Sequence, residues 1–129
     1  MEWKYIKPLK ELKNIEHIEN TYNVHIPQYL KSIILKYNGG RPERKCFDTQ
    51  NYKEKVLKSM LSYNKEDKEN IYMFDDMFSK GYIPFAITEF GDLICIDNKN
   101  GNIKLYMHEQ DVFEYICEKI KNFFEKLYW

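Results

Sequence analysis

Apolar and polar positions along the chain fall into a few recognisable periods. Leu12, Ile15, Ile18 and Tyr22 recur at spacings of three and four, with Glu11, Lys13, Glu16 and Glu19 between them. That spacing predicts an amphipathic helix over about residues 9–22 with its charged side in water. Residues 23–26 read as a turn. Pro27 then stands where a second helix begins, a position that does not need its missing N–H, and Leu30, Ile33, Ile34 and Tyr37 carry the apolar stripe. Asn38-Gly39-Gly40 ends that helix, the glycines supplying the left-handed residue of a helix terminus. Two helices joined by a short turn therefore form an N-terminal hairpin.

The centre of the chain is organised differently. Two short apolar runs, Ile83 to Ile87 and Leu93 to Ile96, flank Thr88-Glu89-Phe90-Gly91-Asp92. They predict a β-hairpin whose strands, apolar on both faces, belong in the middle of a sheet. Asn100-Gly101 meets the positive-φ demand of a tight turn. After it Ile103, Leu105 and Met107 alternate with Lys104, Tyr106 and His108, giving a third strand with one wet face.

Between Arg41 and Ser79 the pattern is weaker. Cys46-Phe47 opens a short strand, and Val56 to Leu61 fits either a strand or one helical turn, of which the strand is preferred. Asn64 to Asn70, NKEDKEN, reads as a solvated charged loop. Met73, Phe74, Met77 and Phe78 lie at near-helical spacing and read as adaptable core rather than a cofactor box. From Gln110 to Trp129, Val112, Phe113, Ile116, Cys117, Ile120, Phe123, Phe124 and Leu127 form a wide apolar stripe, which predicts a long closing helix. The expected architecture is α+β in a single domain, residues 1–129. It has an N-terminal helical hairpin, a central, mainly antiparallel sheet and a long C-terminal helix packed on the sheet.

Composition narrows the function classes. A chain of 129 residues supports one self-sufficient core. Its 20 Lys plus Arg balance 20 Asp plus Glu, so no net field draws it to nucleic acid or anionic lipid, and only local patches remain. With 11 Tyr and 8 Phe, much of the tyrosine must lie near the surface, which suits a contact face. A Lys-, Ile-, Asn- and Tyr-rich composition is equally what nucleotide bias in the encoding genome produces. Cys46, Cys95 and Cys117 are odd in number and share no CxxC spacing, which indicates neither a disulfide framework nor a zinc site and fits a reducing compartment. The N-terminus lacks an apolar signal segment, and no run approaches membrane-spanning length. A cytoplasmic chain with no membrane partner is expected.

The search for chemistry is mostly negative. His17, His25 and His108 lack metal-ligand spacing, and Asp97 with Gly101 lacks the alternating oxygens of a calcium loop, so no metal or cofactor is expected. Gly39-Gly40 has neither phosphate-loop pattern around it. Cys95 and His108 fall on neighbouring strands, where a thiol beside an imidazole is the minimum for nucleophilic catalysis. The plainer reading of Cys95, inside an apolar run, is an inert buried thiol. Glu89 and Asp92 flank the hairpin tip, as an acid and base pair or, more simply, as solvated turn carboxylates.

The order of the pieces carries a resemblance. Trp3 precedes the first helix, and Ile26-Pro27-Gln28-Tyr29-Leu30, Tyr37-Asn38-Gly39-Gly40-Arg41-Pro42 and Ile83-Pro84-Phe85-Ala86 follow. Gly91-Asp92-Leu93-Ile94-Cys95-Ile96-Asp97 and Phe123-Phe124-Glu125-Lys126-Leu127 complete the set. In this order and spacing they resemble the SUKH superfamily, which includes a fungal cell-wall assembly regulator and many bacterial immunity proteins. Nearly the whole chain is covered, Lys65 to Ser79 least well, and a strand over Val56 to Tyr63 is supported.

The resemblance implies a non-enzymatic binding module. In bacteria it implies an immunity protein, the antitoxin of a toxin-immunity system, that binds and neutralises a cognate toxin domain such as a nuclease. A regulatory scaffold inside the cell is the second reading, and a small hydrolase built on Cys95 and His108 the third. The expected contact surface is the wet end of the sheet, with Glu89, Asp92 and Asp97 around the hairpin and Tyr106 and Glu109 on the next strand. Those carboxylates would face the phosphate-binding cations of a nuclease. A tyrosine-rich patch would serve a homodimer equally well.

Overall fold

The chain opens with a two-residue strand, Trp3–Lys4 (β1), then two helices, Lys13–Tyr22 (α1) and Gln28–Tyr37 (α2), and a short strand, Arg41–Pro42 (β2), that pairs with β1. The computed structural model describes all of residues 1–129. Six strands follow: Cys46–Phe47 (β3), Lys55–Met60 (β4), Tyr82–Thr88 (β5), Leu93–Asp97 (β6), Ile103–Met107 (β7) and Val112–Cys117 (β8). They form one antiparallel sheet in which spatial order equals chain order. A 3-10 turn (Ile71–Phe74) and Asp76–Ser79 (α3) fill the β4–β5 connection, and Ile120–Glu125 (α4) follows the sheet. The fold is α+β.

The N-terminal helices bury Ile15, Ile18, Leu30 and Ile34, as their spacing requires. α1 begins at Lys13 rather than near residue 9 because the preceding backbone bonds elsewhere. Lys7 N–H donates to the Asn38 carbonyl at 2.7 Å and Lys10 N–H to Asn64 Oδ1 at 3.0 Å. Glu19 departs from the wet-face expectation: its carboxylate accepts from Ile26 N–H at 2.8 Å and pairs with Lys31 at 3.3 Å, tying the end of α1 to the start of α2. The stretch 64–70 is likewise only partly solvated, because Asn64 and Asn70 are buried and bond to neighbouring backbone carbonyls.

Gly39, at φ 68°, supplies the left-handed residue after α2. Gly40 is needed for space. A Cβ there would lie 2.8 Å from the Tyr37 carbonyl oxygen and 3.3 Å from the Trp3 ring, which stacks on Tyr37 with centroids 4.7 Å apart. Gly40→Ala is therefore expected to lower stability by about 1–3 kcal/mol through overpacking, read as a lower urea midpoint. An unchanged midpoint would show that the N-terminal strap shifts freely.

β5 and β6 are central as expected, with every residue of β6 buried. Pro84 sits inside β5, where a missing N–H breaks the ladder, and the register shifts between Pro84 and Ala86 to absorb it. Further shifts between Leu57 and Ser59 and between Ile103 and Lys104 add to the bending. The sheet curls until its two edges approach. Gln50 N–H reaches the Tyr115 carbonyl at 2.8 Å, and Cys46 exchanges two backbone bonds with Tyr128 at 2.8 and 3.0 Å.

The expected long C-terminal helix is corrected. Val112–Cys117 is a strand and α4 is only six residues long. Positions 112, 113, 116 and 117 satisfy helical spacing, yet their side chains are mostly β-branched or aromatic, and β7 offers an open edge. The connection His108–Asp111 turns the chain back onto that edge. Asp111, at φ 54°, accepts the Tyr106 hydroxyl at 2.6 Å, and Phe113 stacks on Tyr82 with centroids 4.0 Å apart. Pairing with β7 thus satisfies both backbone and rings, and the sheet gains β8 as a sixth strand.

Candidate interaction surfaces

The tip of the β5–β6 hairpin is held by local chemistry. Asp92 N–H donates to Thr88 Oγ1 at 3.0 Å, and Gly91 takes φ 87°. Glu89 pairs with Arg41 at 2.6 Å, and Asp92 Oδ1 lies 2.6 Å from His108 Nδ1 and accepts the His108 N–H at 3.2 Å. Glu109 follows His108 and is exposed. Tyr106 stands opposite Leu93, with the Lys80 ammonium 4.8 Å above its ring. Phe90 projects from the tip with 83% of its surface exposed.

The structure therefore brings Glu89, Asp92, Tyr106 and Glu109 to one end of the sheet. It does not bring Asp97 there. Asp97 closes the other end of β6, opposite Tyr82, about 13 Å of strand away at roughly 3.3 Å per residue. It is 8% exposed, accepting from Lys99 N–H at 3.0 Å and the Lys104 ammonium at 3.1 Å. Burial pushes its carboxyl upward, but those two partners outweigh burial and hold it below the usual range. Asp97 anchors a turn. At the tip, Glu89 already pairs with Arg41 and Asp92 already bonds His108, so both carboxylates become available to a partner only by exchange.

Cys95 and His108 are not neighbours. Cys95 lies opposite Pro84 and Lys104, is wholly buried, and burial pushes its thiol far up. His108 lies beyond the end of β7 against Asp92. A thiolate there would have no imidazole to form it. No group of three His, Cys, Asp or Glu is arranged to hold a metal ion, and no helix is long and apolar enough to cross a membrane.

A second surface lies at the seam of the curled sheet. A pocket of about 680 Å³ opens between the loop after β3, strand β8 and α4, with Phe47, Tyr115, Ile116, Cys117, Phe123 and Tyr128 as its apolar lining. A groove of about 600 Å³ beside α1, by contrast, has Tyr72 as its one apolar residue. In the seam, Asp48 accepts the Tyr128 hydroxyl at 2.5 Å and Glu54 N–H at 3.0 Å. The hydroxyl contact, then the N–H, holds the Asp48 carboxyl low, and the same contact pushes the Tyr128 phenol up to about 12. Glu114 accepts from Asn51 N–H at 2.8 Å and Thr49 Oγ1 at 3.3 Å. Sequence reasoning missed this pocket because its walls come from three distant stretches, two of which were expected on one helix. The strand-favouring composition of Val112–Cys117 was the signal that pointed to it.

A SUKH family model described as SMI1-KNR4 cell-wall matches residues 12–124 of the chain. No curated protein matches it.

Proposed function

The chain belongs to the SUKH superfamily, and from that premise we propose that it is a cytoplasmic immunity protein. It binds a cognate toxin domain and neutralises it by direct contact, with no chemistry of its own. The observation that carries this reading is Phe90. A phenylalanine left 83% exposed at the tip of a hairpin whose strands are buried adds nothing to the core, and rigid exposed aromatics among charges are what binding hot spots are made of.

A stable interface covers about 1,200–2,000 Å² in total, more than the tip alone, so Phe90 acts as an anchor within a wider face. Glu89, Asp92 and Glu109 surround it, and on docking Glu89 and Asp92 exchange Arg41 and His108 for cations of the toxin. That exchange favours a cationic partner such as a nuclease and speeds encounter. The family description favours a second reading, a regulatory scaffold, which predicts several partners rather than one.

The test is co-expression of a candidate toxin domain, taken from the adjacent reading frame, with and without this chain, together with affinity measurements. Phe90→Ala combined with Asp92→Lys is expected to weaken binding at least hundredfold, about 2.7 kcal/mol, and to abolish protection while the melting temperature stays within a few degrees. Undiminished protection by that variant would remove the hairpin tip from the mechanism. Absence of protection by the parent chain would remove the antitoxin reading itself.

A further inference from the structure

We propose that the docking face runs from the hairpin tip across Arg41 to Tyr5 of the N-terminal strap, and that the partner protein meets Arg41 with a carboxylate carried beside an apolar contact for the tyrosine ring. The inference rests on the antitoxin reading and names what the toxin brings to this side of the tip. Continuity comes first. Tyr5 follows Lys4, which stands opposite Arg41 in the β1–β2 pair, and the Arg41 guanidinium bonds Glu89 at 2.6 Å, one residue before Phe90. Tyr5 and Arg41 also share the wall of a hollow of about 340 Å³ with Lys58 and Ser59 of β4.

Tyr5 has the marks of a contact residue. Its backbone holds φ 57°, a left-handed conformation uncommon for a bulky side chain, and 73% of its surface is exposed. Strain at a residue whose ring lies outside the core is the pattern of positions held for binding rather than for folding. Tyrosine and arginine are also among the side chains most enriched in binding hot spots.

Charge balance selects the partner's group. Glu89 is the one carboxylate paired with Arg41, whose side chain is only 27% exposed. When Glu89 turns to a cation of the toxin, Arg41 loses its counter-charge, and a half-buried guanidinium left without one is destabilising. The chain offers no replacement. With every carboxylate counted as charged, the hollow holds four cations, Lys7, Arg41, Lys58 and Lys68, against Asp67 and Glu69. Glu69 is engaged by Lys58 at 2.9 Å, and Asp67 is tied back by Ser62 and Asn64. The surplus is positive, so the missing anion comes from the partner, and a carboxylate matches the planar fork of the guanidinium. The toxin's cation against Glu89 and its acid against Arg41 then fix the orientation of docking.

The experiment measures the affinity of the candidate toxin domain from the adjacent reading frame for the full chain and for two variants, Arg41→Gln and Tyr5→Asn. Arg41→Gln decides by sign. It releases Glu89 and removes a cation, so a face that used Glu89 alone would bind a cationic partner more tightly, whereas loss of the Arg41 contact is expected to weaken binding about tenfold or more. Asparagine tolerates the left-handed backbone, so Tyr5→Asn should keep the melting temperature within a few degrees while binding falls about fivefold or more. Unchanged or tighter binding by Arg41→Gln, or unchanged binding by Tyr5→Asn, where Phe90→Ala with Asp92→Lys does weaken it, would overturn the extended face and leave the antitoxin reading standing. A melting temperature lowered by about ten degrees in Tyr5→Asn would also overturn it, by showing that the ring serves the fold. A parent chain that neither binds the domain nor protects against it would remove both.

Discussion

Replacing Asn38 by alanine is expected to remove about 3–5 kcal/mol of stability, a large part of what a domain of this size possesses. Asn38 is 1% exposed, and its side chain joins three parts of the chain. Nδ2 donates to the Lys7 carbonyl at 2.7 Å and to Ser62 Oγ at 2.9 Å, while Oδ1 accepts Tyr63 N–H at 2.9 Å. Ser62 hands the network on to Asp67 at 2.6 Å, and Asn64 ties Asp67 to the carbonyl of Pro8 at 3.0 Å each. Alanine leaves the Tyr63 N–H without a partner in the interior, and the Lys7 carbonyl keeps only the longer contact from Asn64 Nδ2 at 3.5 Å, at about 1–3 kcal/mol for an unpaired buried group. Urea unfolding should show the midpoint fall with an unchanged slope. Asn98→Ala, at an exposed turn, should stay within about 0.5 kcal/mol. A loss below about 1 kcal/mol for Asn38→Ala would mean that water replaces the amide at no cost.

That network also explains why residues outside the family match belong to the fold. The match spans 12–124, yet Lys7, Pro8 and Lys10 are bonded to Asn38 and Asn64, and Tyr128 pairs with β3. The strap before residue 12 is thus held by the two asparagines together with the β1–β2 pairing and the Trp3–Tyr37 stack, and the tail after residue 124 closes the seam.

Legibility in the sequence followed range. The hairpin from Gly81 to Asp97 could be read because its evidence is local: two apolar runs around a turn sequence, with β-pairing between near neighbours. Asn38-Gly39-Gly40 told of a helix end, since the left-handed requirement of Gly39 is a property of one residue. The role of Asn38 was not legible, because its partners lie 24 to 31 residues away. β8 was misread for a related reason. Its apolar positions suit both periods, and the deciding fact, an unpaired edge on β7, lies in another segment. Of the candidate contact residues, Glu89, Asp92, Tyr106 and Glu109 share one end of the sheet. Asp97 does not, and the length of the apolar run before it already placed it at the far end of a strand.

Phe123→Ala is the other substitution with a large expected effect, about 3–5 kcal/mol by analogy with buried aromatic truncations. The ring is 1% exposed and meets Phe47, Phe85 and Phe124 edge-on, with centroids 5.4, 5.7 and 5.3 Å away. Those contacts join β3, β5 and α4, so their loss loosens the curl of the sheet as well as the core. Phe123 is also the floor of the seam pocket, which sets this site apart from an enclosed cavity. The void left by alanine opens outward and fills with water, which brings the cost toward the lower end of the range. Phe123→Leu, retaining most of the buried volume, should cost only about 1–1.5 kcal/mol. A loss under about 1 kcal/mol on truncation would show that the sheet curls without it.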